Sequence, residues 1–254
     1  MRRFAVTVNT VAVSRKTKAV MGVSLGAIPL LVIWEQLAWA ITLLVVGTLG
    51  VGELMRVSNR SRGGLSVHLL LWVFGGYVVA GMYAGIYLRT LEAWLPLISL
   101  TVLGSVATDA GGWYFGGRFG TKGTFFPVVS PNKSFVGFVA GWLTGSIAAG
   151  AVLWAAWLLH ARLDYGNGVF LVITIPVISV AGDLFASKLK RLLGIKDFSN
   201  LIPGHGGLCD RLDSLALAAF WSASVVVAPH LAGHMVIALL VTTFLLKERH
   251  LSPV

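Results

Sequence analysis

The 254-residue chain is 56% hydrophobic and only 12% charged, and its mean hydropathy is +0.83. This composition excludes an ordinary soluble domain, since such domains carry about 25% charged residues. The net charge of +10 does not indicate a nucleic-acid partner, because the basic residues flank apolar runs, where they set membrane orientation and attract the anionic headgroups of membrane lipids. The single cysteine, Cys209, excludes an internal disulfide.

Apolar runs long enough to cross a bilayer recur along the chain. We therefore predict an all-α, polytopic integral membrane protein with about eight transmembrane helices, within a range of seven to nine. The predicted crossings are residues 20–34, 38–56, 66–88, 95–117, 135–159, 168–187, 214–228 and 231–246. Because no repeat or linker divides the chain, we expect residues 1–254 to form a single membrane domain.

The basic residues predict the orientation of this domain. Placing both the N- and C-termini in the cytoplasm puts all but two of the 20 Lys and Arg residues on one side. Only Arg89 and Arg162 then lie outside. This asymmetry follows the positive-inside rule, so we expect the two long loops, residues 118–134 and 188–213, to face the cytoplasm.

Glu53 lies near the inner end of the second predicted crossing. A carboxylate in that position either pairs with a nearby basic residue such as Arg56 or reaches towards the interface. A functional role is a further interpretation.

Asp183 interrupts an otherwise apolar run, residues 177–185. A charged side chain in a membrane segment costs about 2.5–3.5 kcal/mol on insertion scales, so it is expected to face a partner or a wet cavity. Ser187, Lys190 and Arg191 follow at helical spacing and share one stripe with Asp183. Two interpretations stay open here: an Asp–Lys ion pair near the membrane boundary, or a metal-ligating carboxylate followed by phosphate-binding cations.

Two further acids follow a glycine-rich turn, Pro203-Gly-His-Gly-Gly207. Asp210 and Asp213 are spaced i, i+3 at the expected start of a helix, where the dipole favours carboxylates, so capping is one interpretation. The glycines allow backbone N–H groups to approach an anion closely, and His205 either completes the turn or contacts a ligand. A direct role in binding substrate or metal is the second interpretation.

Asp109 lies near the end of the fourth predicted crossing, and it precedes a glycine-rich segment that also fits close helix packing. The next loop, Ser130-Pro-Asn-Lys133, adds a hydroxyl and a cation. Together these segments supply several acids for a divalent cation and several cations for phosphate at one face of the bilayer. Phosphoryl or nucleotidyl transfer is the reaction class that needs this combination, because its catalysis is mostly charge neutralisation and alignment.

The segment from Ser187 to Asp213 resembles the signature of the phosphatidate cytidylyltransferase (CDP-diacylglycerol synthase) family, S-x-x-K-R-x4-K-D-x3-L-x-P-G-H-G-G-x-x-D-R-x-D. The matching positions are Ser187, Lys190, Arg191, Lys196, Asp197, Leu201, Pro203, Gly204, His205, Gly206, Gly207, Asp210, Arg211 and Asp213. Blocks around Asp109 and Lys133 are also similar. We therefore expect the catalytic helices and loops in residues 95–254, and less family-like helices in residues 1–90.

The resemblance implies a magnesium-dependent enzyme of the bacterial inner membrane, with its active site facing the cytoplasm. Such an enzyme condenses CTP with phosphatidic acid to give CDP-diacylglycerol and pyrophosphate, and a homodimer is common in the family. The implied catalytic residues are Asp183, Asp210, Lys190 and Arg191. The implied ligands of Mg²⁺ and of a second, monovalent cation such as K⁺ are Asp183 and Asp210, with Asp109 and Asp213 as further candidates. The implied substrate-binding residues are Ser130, Lys133, Ser187, Lys196, His205, Gly206, Gly207 and Arg211.

Two acids common in the family are replaced in this chain. Val136 stands where a glutamate often follows the S-P-x-K element, and Ala186 stands where one often precedes the signature serine. These departures leave a non-catalytic homologue open. Two further functions stay open as well, namely a CTP-dependent enzyme acting on an ether lipid or a polyprenol, and a transporter using the same acids. A prenyltransferase is disfavoured, because the paired D-x-x-x-D segments it needs are absent.

Overall fold

The computed structural model describes residues 35–61, 64–121, 129–130, 132–202 and 206–228. These residues form six α-helices: α1 Gln36–Arg60, α2 Leu65–Thr90, α3 Trp94–Phe119, α4 Phe135–Leu158, α5 Tyr165–Leu192 and α6 Cys209–Val227. The all-α class is therefore confirmed for the described part of the chain. Six of the eight predicted crossings coincide with these helices, whereas the first and last, residues 20–34 and 231–246, lie outside the described residues.

Helices α1 to α5 are each long and apolar enough to cross a membrane. Large apolar side chains lie on their outer surfaces, and Trp72, Ile147 and Trp154 are each more than half exposed, as expected of side chains that face lipid. Helix α6 has 19 residues and is not among the candidate spans in the described region, since charged residues occupy its first turns. The chain is a helical membrane protein.

Helix α6 lies at the centre of the described bundle. It packs against α2, α3 and α5 and also contacts α1. Hydroxyl groups link the central helices: the Thr101 and Ser222 side chains are 2.8 Å apart, and Ser179 Oγ donates to Ser105 Oγ at 2.9 Å. Such pairs satisfy polar groups that lipid cannot hydrogen-bond.

The connections between helices place two long loops at one end of the bundle. Successive helices alternate in direction, so the described residues that flank these two loops lie at the same end as the short connection between α1 and α2. Helix α4 begins there at Phe135, and the preceding residue, Ser134, is an ordinary N-cap whose side chain accepts the N–H of Gly137 at 3.1 Å. This end of the bundle is called the loop end below.

Small residues allow α3 and α4 to pack closely, which supports the packing interpretation of the glycine-rich segment. A Cβ on Gly116 would lie 3.0 Å from the Cα of Gly137, and one on Gly141 would lie 2.7 Å from the carbonyl oxygen of Thr108. Helix α3 continues to Phe119. The glycines therefore belong to the same helix as Asp109, which lies within α3 and not near its end.

Candidate active site at the loop end

Helix α5 presents the predicted polar stripe near its C-terminal end. Asp183, Ser187, Lys190 and Arg191 all lie on this one continuous helix. The Ser187 hydroxyl donates to Asp183 Oδ1 at 3.2 Å, the i, i+4 contact that a helix allows. The expected common stripe is therefore present, and Ser187 fixes one oxygen of the Asp183 carboxylate.

Gly182 brings α5 and α6 into contact beside Asp183. A Cβ at this position would collide with the backbone carbonyl oxygen of Asp213, so only glycine lets the two helices approach this closely. As a result, the Asp183 and Asp213 carboxylates are near enough to repel each other. Asp183 and Asp213, which are 30 positions apart in the chain, thus lie close together because residue 182 is a glycine.

The loop before α4 supplies the cation that faces Asp183. Lys133 Nζ lies 2.7 Å from Asp183 Oδ2, and the two side chains are 26% and 30% exposed. The Lys133 backbone N–H donates to the carbonyl of Ser130 at 3.1 Å, which holds the residue in a turn directly before Ser134, the N-cap of α4. The cation that the sequence analysis noted in this loop therefore lies against the Asp183 carboxylate.

A second carboxylate–ammonium pair joins α5 to α6. Lys190 Nζ lies 2.7 Å from Asp210 Oδ1, with the side chains 14% and 6% exposed. The Asp–Lys ion pair that was one interpretation of Asp183 is therefore present, but its lysine is Lys133 and not Lys190. Asp183 pairs with Lys133, and Lys190 pairs with Asp210.

The other oxygen of Asp210 organises the loop between α5 and α6. Oδ2 accepts the backbone N–H groups of Phe198 and Gly207, each at 2.9 Å. The Phe198 ring is buried and stacks on Phe74 with ring centroids 5.1 Å apart. Asp210 thus combines two tasks, since it neutralises Lys190 and also fixes the backbone that precedes α6.

Two further carboxylates belong to the site, Asp109 on α3 and Asp213 on α6. Asp109 Oδ2 accepts the Ser214 hydroxyl at 3.1 Å, while Asp213 Oδ1 accepts the Ser214 N–H at 2.8 Å. Asp213 is only 6% exposed, and both carboxylates interact electrostatically with Asp183. Three carboxylates from α3, α5 and α6 therefore converge at this point.

Glu53 makes a contact that the sequence did not predict. Its side chain is 3% exposed, and Oε2 accepts the backbone N–H of Cys209 at 2.7 Å. Among the described residues it forms no ion pair with Arg56, so that interpretation is wrong, and its low exposure places it inside the bundle. The one usable signal was its position, an acid inside an apolar helix.

Cys209 is placed by the same contact. Its thiol donates to the carbonyl oxygen of Gly50 at 3.3 Å. Burial, and next the neighbouring Glu53 carboxylate, raises the pKa of the Cys209 thiol. This direction agrees with the observed contact, in which the thiol is a hydrogen-bond donor.

The remaining predicted site residues lie around these contacts. Gly206 has a positive φ of 86°, a backbone conformation that favours glycine, and its carbonyl accepts the N–H of Ile202 at 2.9 Å. Among the predicted site residues, Arg191, Lys196 and Arg211 have exposed side chains. His205 lies outside the described residues.

The described residues contain no group of three or more His, Cys, Asp or Glu side chains arranged to hold a metal ion. The site instead offers carboxylates paired with ammonium groups, beside exposed guanidinium and ammonium groups. This arrangement can exchange its internal ion pairs for contacts with a polyanion.

Comparison with known proteins places the site inside a family-matched segment. A profile described as "Cytidylyltransferase family" matches residues 94–229. The match contains α3 to α6 and both long loops, whereas α1 and α2 precede it.

The individual relatives that match this chain are also named as cytidylyltransferases. The phosphatidate cytidylyltransferase of Mycobacterium bovis is 35% identical over 161 residues, which cover 61% of this chain and 47% of the relative. The proteins of the same name from Aquifex aeolicus and Staphylococcus aureus are 38% and 30% identical, over 46% and 69% of this chain and 42% and 54% of their own lengths. The chain thus spans about half the length of the curated relatives it matches.

Proposed function

The chain belongs to the cytidylyltransferase family, and from that premise we propose that it transfers the cytidylyl group of CTP to phosphatidic acid. The products would be CDP-diacylglycerol and pyrophosphate, in phospholipid biosynthesis. The observation that carries the proposal is the pair of short carboxylate–ammonium contacts at the loop end, Lys133–Asp183 and Lys190–Asp210, surrounded by exposed basic side chains.

The two lysines are the proposed phosphate-binding groups. In the structure each ammonium group is 2.7 Å from a carboxylate oxygen, and a triphosphate offers the same lysines several competing anionic oxygens. Arg191, Lys196 and Arg211 add positive charge at the rim, while Ser187, Ser130 and His205 complete the proposed substrate-binding set. Gly206 and Gly207 also belong to the proposed set, Gly207 through its N–H contact with Asp210, which shapes the site.

The carboxylates suit a divalent cation bound together with substrate. Asp183 and Asp210 each already hold a cationic group, and Mg²⁺ is usually bound by one or two carboxylates plus substrate phosphates and water, without an all-protein cage. A site with two such carboxylates therefore fits the ion. We propose that Asp183 and Asp210 would hold Mg²⁺ and a monovalent cation such as K⁺, with Asp109 and Asp213 close by. The bound metal would neutralise charge on the phosphates.

The proposed reaction is an in-line displacement at the α-phosphorus of CTP. A phosphate oxygen of phosphatidic acid forms the new P–O bond, the bond to the β-phosphate breaks, and its electron pair leaves with pyrophosphate. The nucleophile is already anionic, so the chain does not need to supply a strong general base. Lys190, Arg191 and Lys133 would align the two anionic reactants, which is the main task in this reaction class.

The same proposal covers the membrane arrangement. We propose eight crossings with both termini in the cytoplasm of a bacterium, and with the loop end on the cytoplasmic side of the inner membrane. CTP would then arrive from the cytosol, while phosphatidic acid would enter sideways from the inner leaflet. Residues 1–254 would act as one membrane domain, and a homodimer is proposed by analogy with the family.

The decisive experiment measures CTP-dependent pyrophosphate release by the full chain in detergent with phosphatidic acid, followed by mass spectrometry of the lipid product. We expect release that requires both substrates and a product with the mass of CDP-diacylglycerol. Release with an ether lipid phosphate or a polyprenyl phosphate, but not with phosphatidic acid, would replace the proposed acceptor. Failure to release pyrophosphate with any of these acceptors would overturn the enzymatic proposal.

A further inference from the structure

Glu53 is a buried carboxylate that the proposed reaction does not use. It lies on α1, which precedes the family-matched residues 94–229. Its Oε2 accepts the N–H of Cys209 at 2.7 Å, and its Oε1 has no hydrogen-bond partner among the described residues. A carboxylate that is only 3% exposed is costly unless its interactions offset desolvation, so this contact calls for an explanation.

The start of α6 depends on side chains from outside the helix. Its N-cap residue, Leu208, makes no side-chain cap hydrogen bond, although the first N–H groups of a helix need external acceptors. Asp210 accepts the N–H of Gly207, and Glu53 accepts the N–H of Cys209. Two carboxylates on different helices therefore hold the backbone on either side of Leu208.

The two carboxylates converge on one glycine. A Cβ on Gly207 would collide with Glu53 Oε1 and would lie 3.0 Å from Asp210 Oδ2. Gly207 is thus enclosed between the acid of α1 and the acid that pairs with Lys190. A second contact, from the Cys209 thiol to the Gly50 carbonyl at 3.3 Å, ties the same two helices together.

We propose that Glu53 is a positioning residue for the cytidylyl transfer. It would fix the turn at Gly207 and the first residue of α6, and through them the orientation of the Asp210 carboxylate towards Lys190. The inference rests on the proposed function for the reaction, whereas the contact itself is independent of it. Helix α1 then contributes to the active site although the family match begins only at residue 94.

The thiol of Cys209 can report whether the contact between Glu53 and Cys209 is intact. Cys209 is the only cysteine in the sequence and is fully buried beside Glu53. We expect N-ethylmaleimide to label the full-length wild-type protein slowly in lipid nanodiscs. Removal of a hydrogen bond to a charged acceptor should favour local opening, so Glu53→Ala should increase the labelling rate about tenfold or more.

Activity and rescue separate positioning from simple structural support. We expect Glu53→Ala to lower kcat about tenfold or more, with a smaller change in the KM of phosphatidic acid. Glu53→Gln keeps an oxygen acceptor for Cys209, so it should restore slow labelling and most of kcat. The matched control is Glu35→Ala, which removes an exposed carboxylate directly before the opposite end of α1 and should change neither readout.

The outcomes are distinguishable. Wild-type labelling of Glu53→Ala would overturn the contact, and faster labelling with unchanged kcat would show that the contact does not position the reaction. Failure of Glu53→Gln to recover either property would also contradict the inference. A wild-type protein that releases no pyrophosphate would overturn the proposed function and the reaction part of the inference together, while labelling would still report on the contact.

Discussion

The two carboxylate–ammonium pairs at the loop end have the same length but different surroundings. Lys133 and Asp183 remain 26% and 30% exposed, whereas Lys190 and Asp210 are 14% and 6% exposed. Asp183 receives one further hydrogen bond, from the side chain of Ser187, while Asp210 receives two from backbone N–H groups. The first pair joins a loop to a helix, and the second joins two packed helices.

This difference in exposure predicts different free-energy costs for breaking the two ion pairs. A partly exposed pair contributes about 0–1 kcal/mol, because water screens it, so Lys133 can leave Asp183 for a phosphate at small cost. A buried pair is costly to break, since the remaining charge loses its partner in a poorly solvated place. We therefore expect both pairs to open when substrate binds, the Lys133–Asp183 pair at a lower free-energy cost than the more buried Lys190–Asp210 pair.

The strongest test of this comparison is Asp210→Asn. The substitution leaves the buried Lys190 charge unpaired and weakens the anchoring of Phe198 and Gly207, so we expect a stability loss of about 3 kcal/mol. Turnover should also fall about 100-fold or more, as when a charge-stabilising group is removed. Thermal unfolding and pyrophosphate release in detergent measure the two effects. The matched control is Asp164→Asn at the opposite end of α5, where Asp164 is the N-cap and accepts the N–H groups of Gly166 and Asn167. Asparagine caps a helix as well as aspartate does, so a similar loss in that variant would show that the effect is not particular to Asp210.

The second test is Asp183→Asn, which should separate activity from stability. We again expect turnover to fall about 100-fold or more, but the unfolding free energy should change by no more than about 1 kcal/mol, since the Lys133–Asp183 pair is partly exposed. The same two assays apply. Near-normal turnover would contradict the proposed metal-binding role of Asp183, and a stability loss equal to that of Asp210→Asn would remove the distinction between the pairs.

The smallest effect is expected from Lys133→Ala. We predict an approximately tenfold increase in the KM of CTP, equivalent to about 1.4 kcal/mol of lost phosphate binding, with almost unchanged stability. Glu92→Gln is the control, because it breaks the Arg162–Glu92 contact, which is 3.5 Å long, 85% and 76% exposed, and away from the loop end. An unchanged KM in Lys133→Ala would exclude that lysine from the nucleotide site.

Much of this arrangement could be predicted from short segments of the sequence. The stripe from Asp183 to Arg191 follows from helical periodicity, and the position of Asp210 at a helix start follows from its glycine-rich approach. The partner of each lysine could not be predicted in this way. Lys190 shares a helix stripe with Asp183, but the bundle places Asp210 against Lys190 and brings Lys133 from a loop to Asp183.

The contact of Glu53 likewise could not be predicted from local sequence patterns. Its burial cost marked it as a residue in need of a partner, yet the nearest candidate in the sequence, Arg56, is not that partner. The acceptor contact is to Cys209, which lies 156 residues away. Separation in the chain hides such a pair, since hydropathy and spacing describe one helix at a time.

The amino-acid sequence alone determined the helical membrane class, most of the helix positions and the signature acids and bases, because each depends on composition or on periodicity within one segment. Only the tertiary structure decided which charges neutralise one another and which helix supports the turn before α6. Those choices depend on how closely the helices approach, and the close contact at Gly182 shows that a single absent side chain can set that distance.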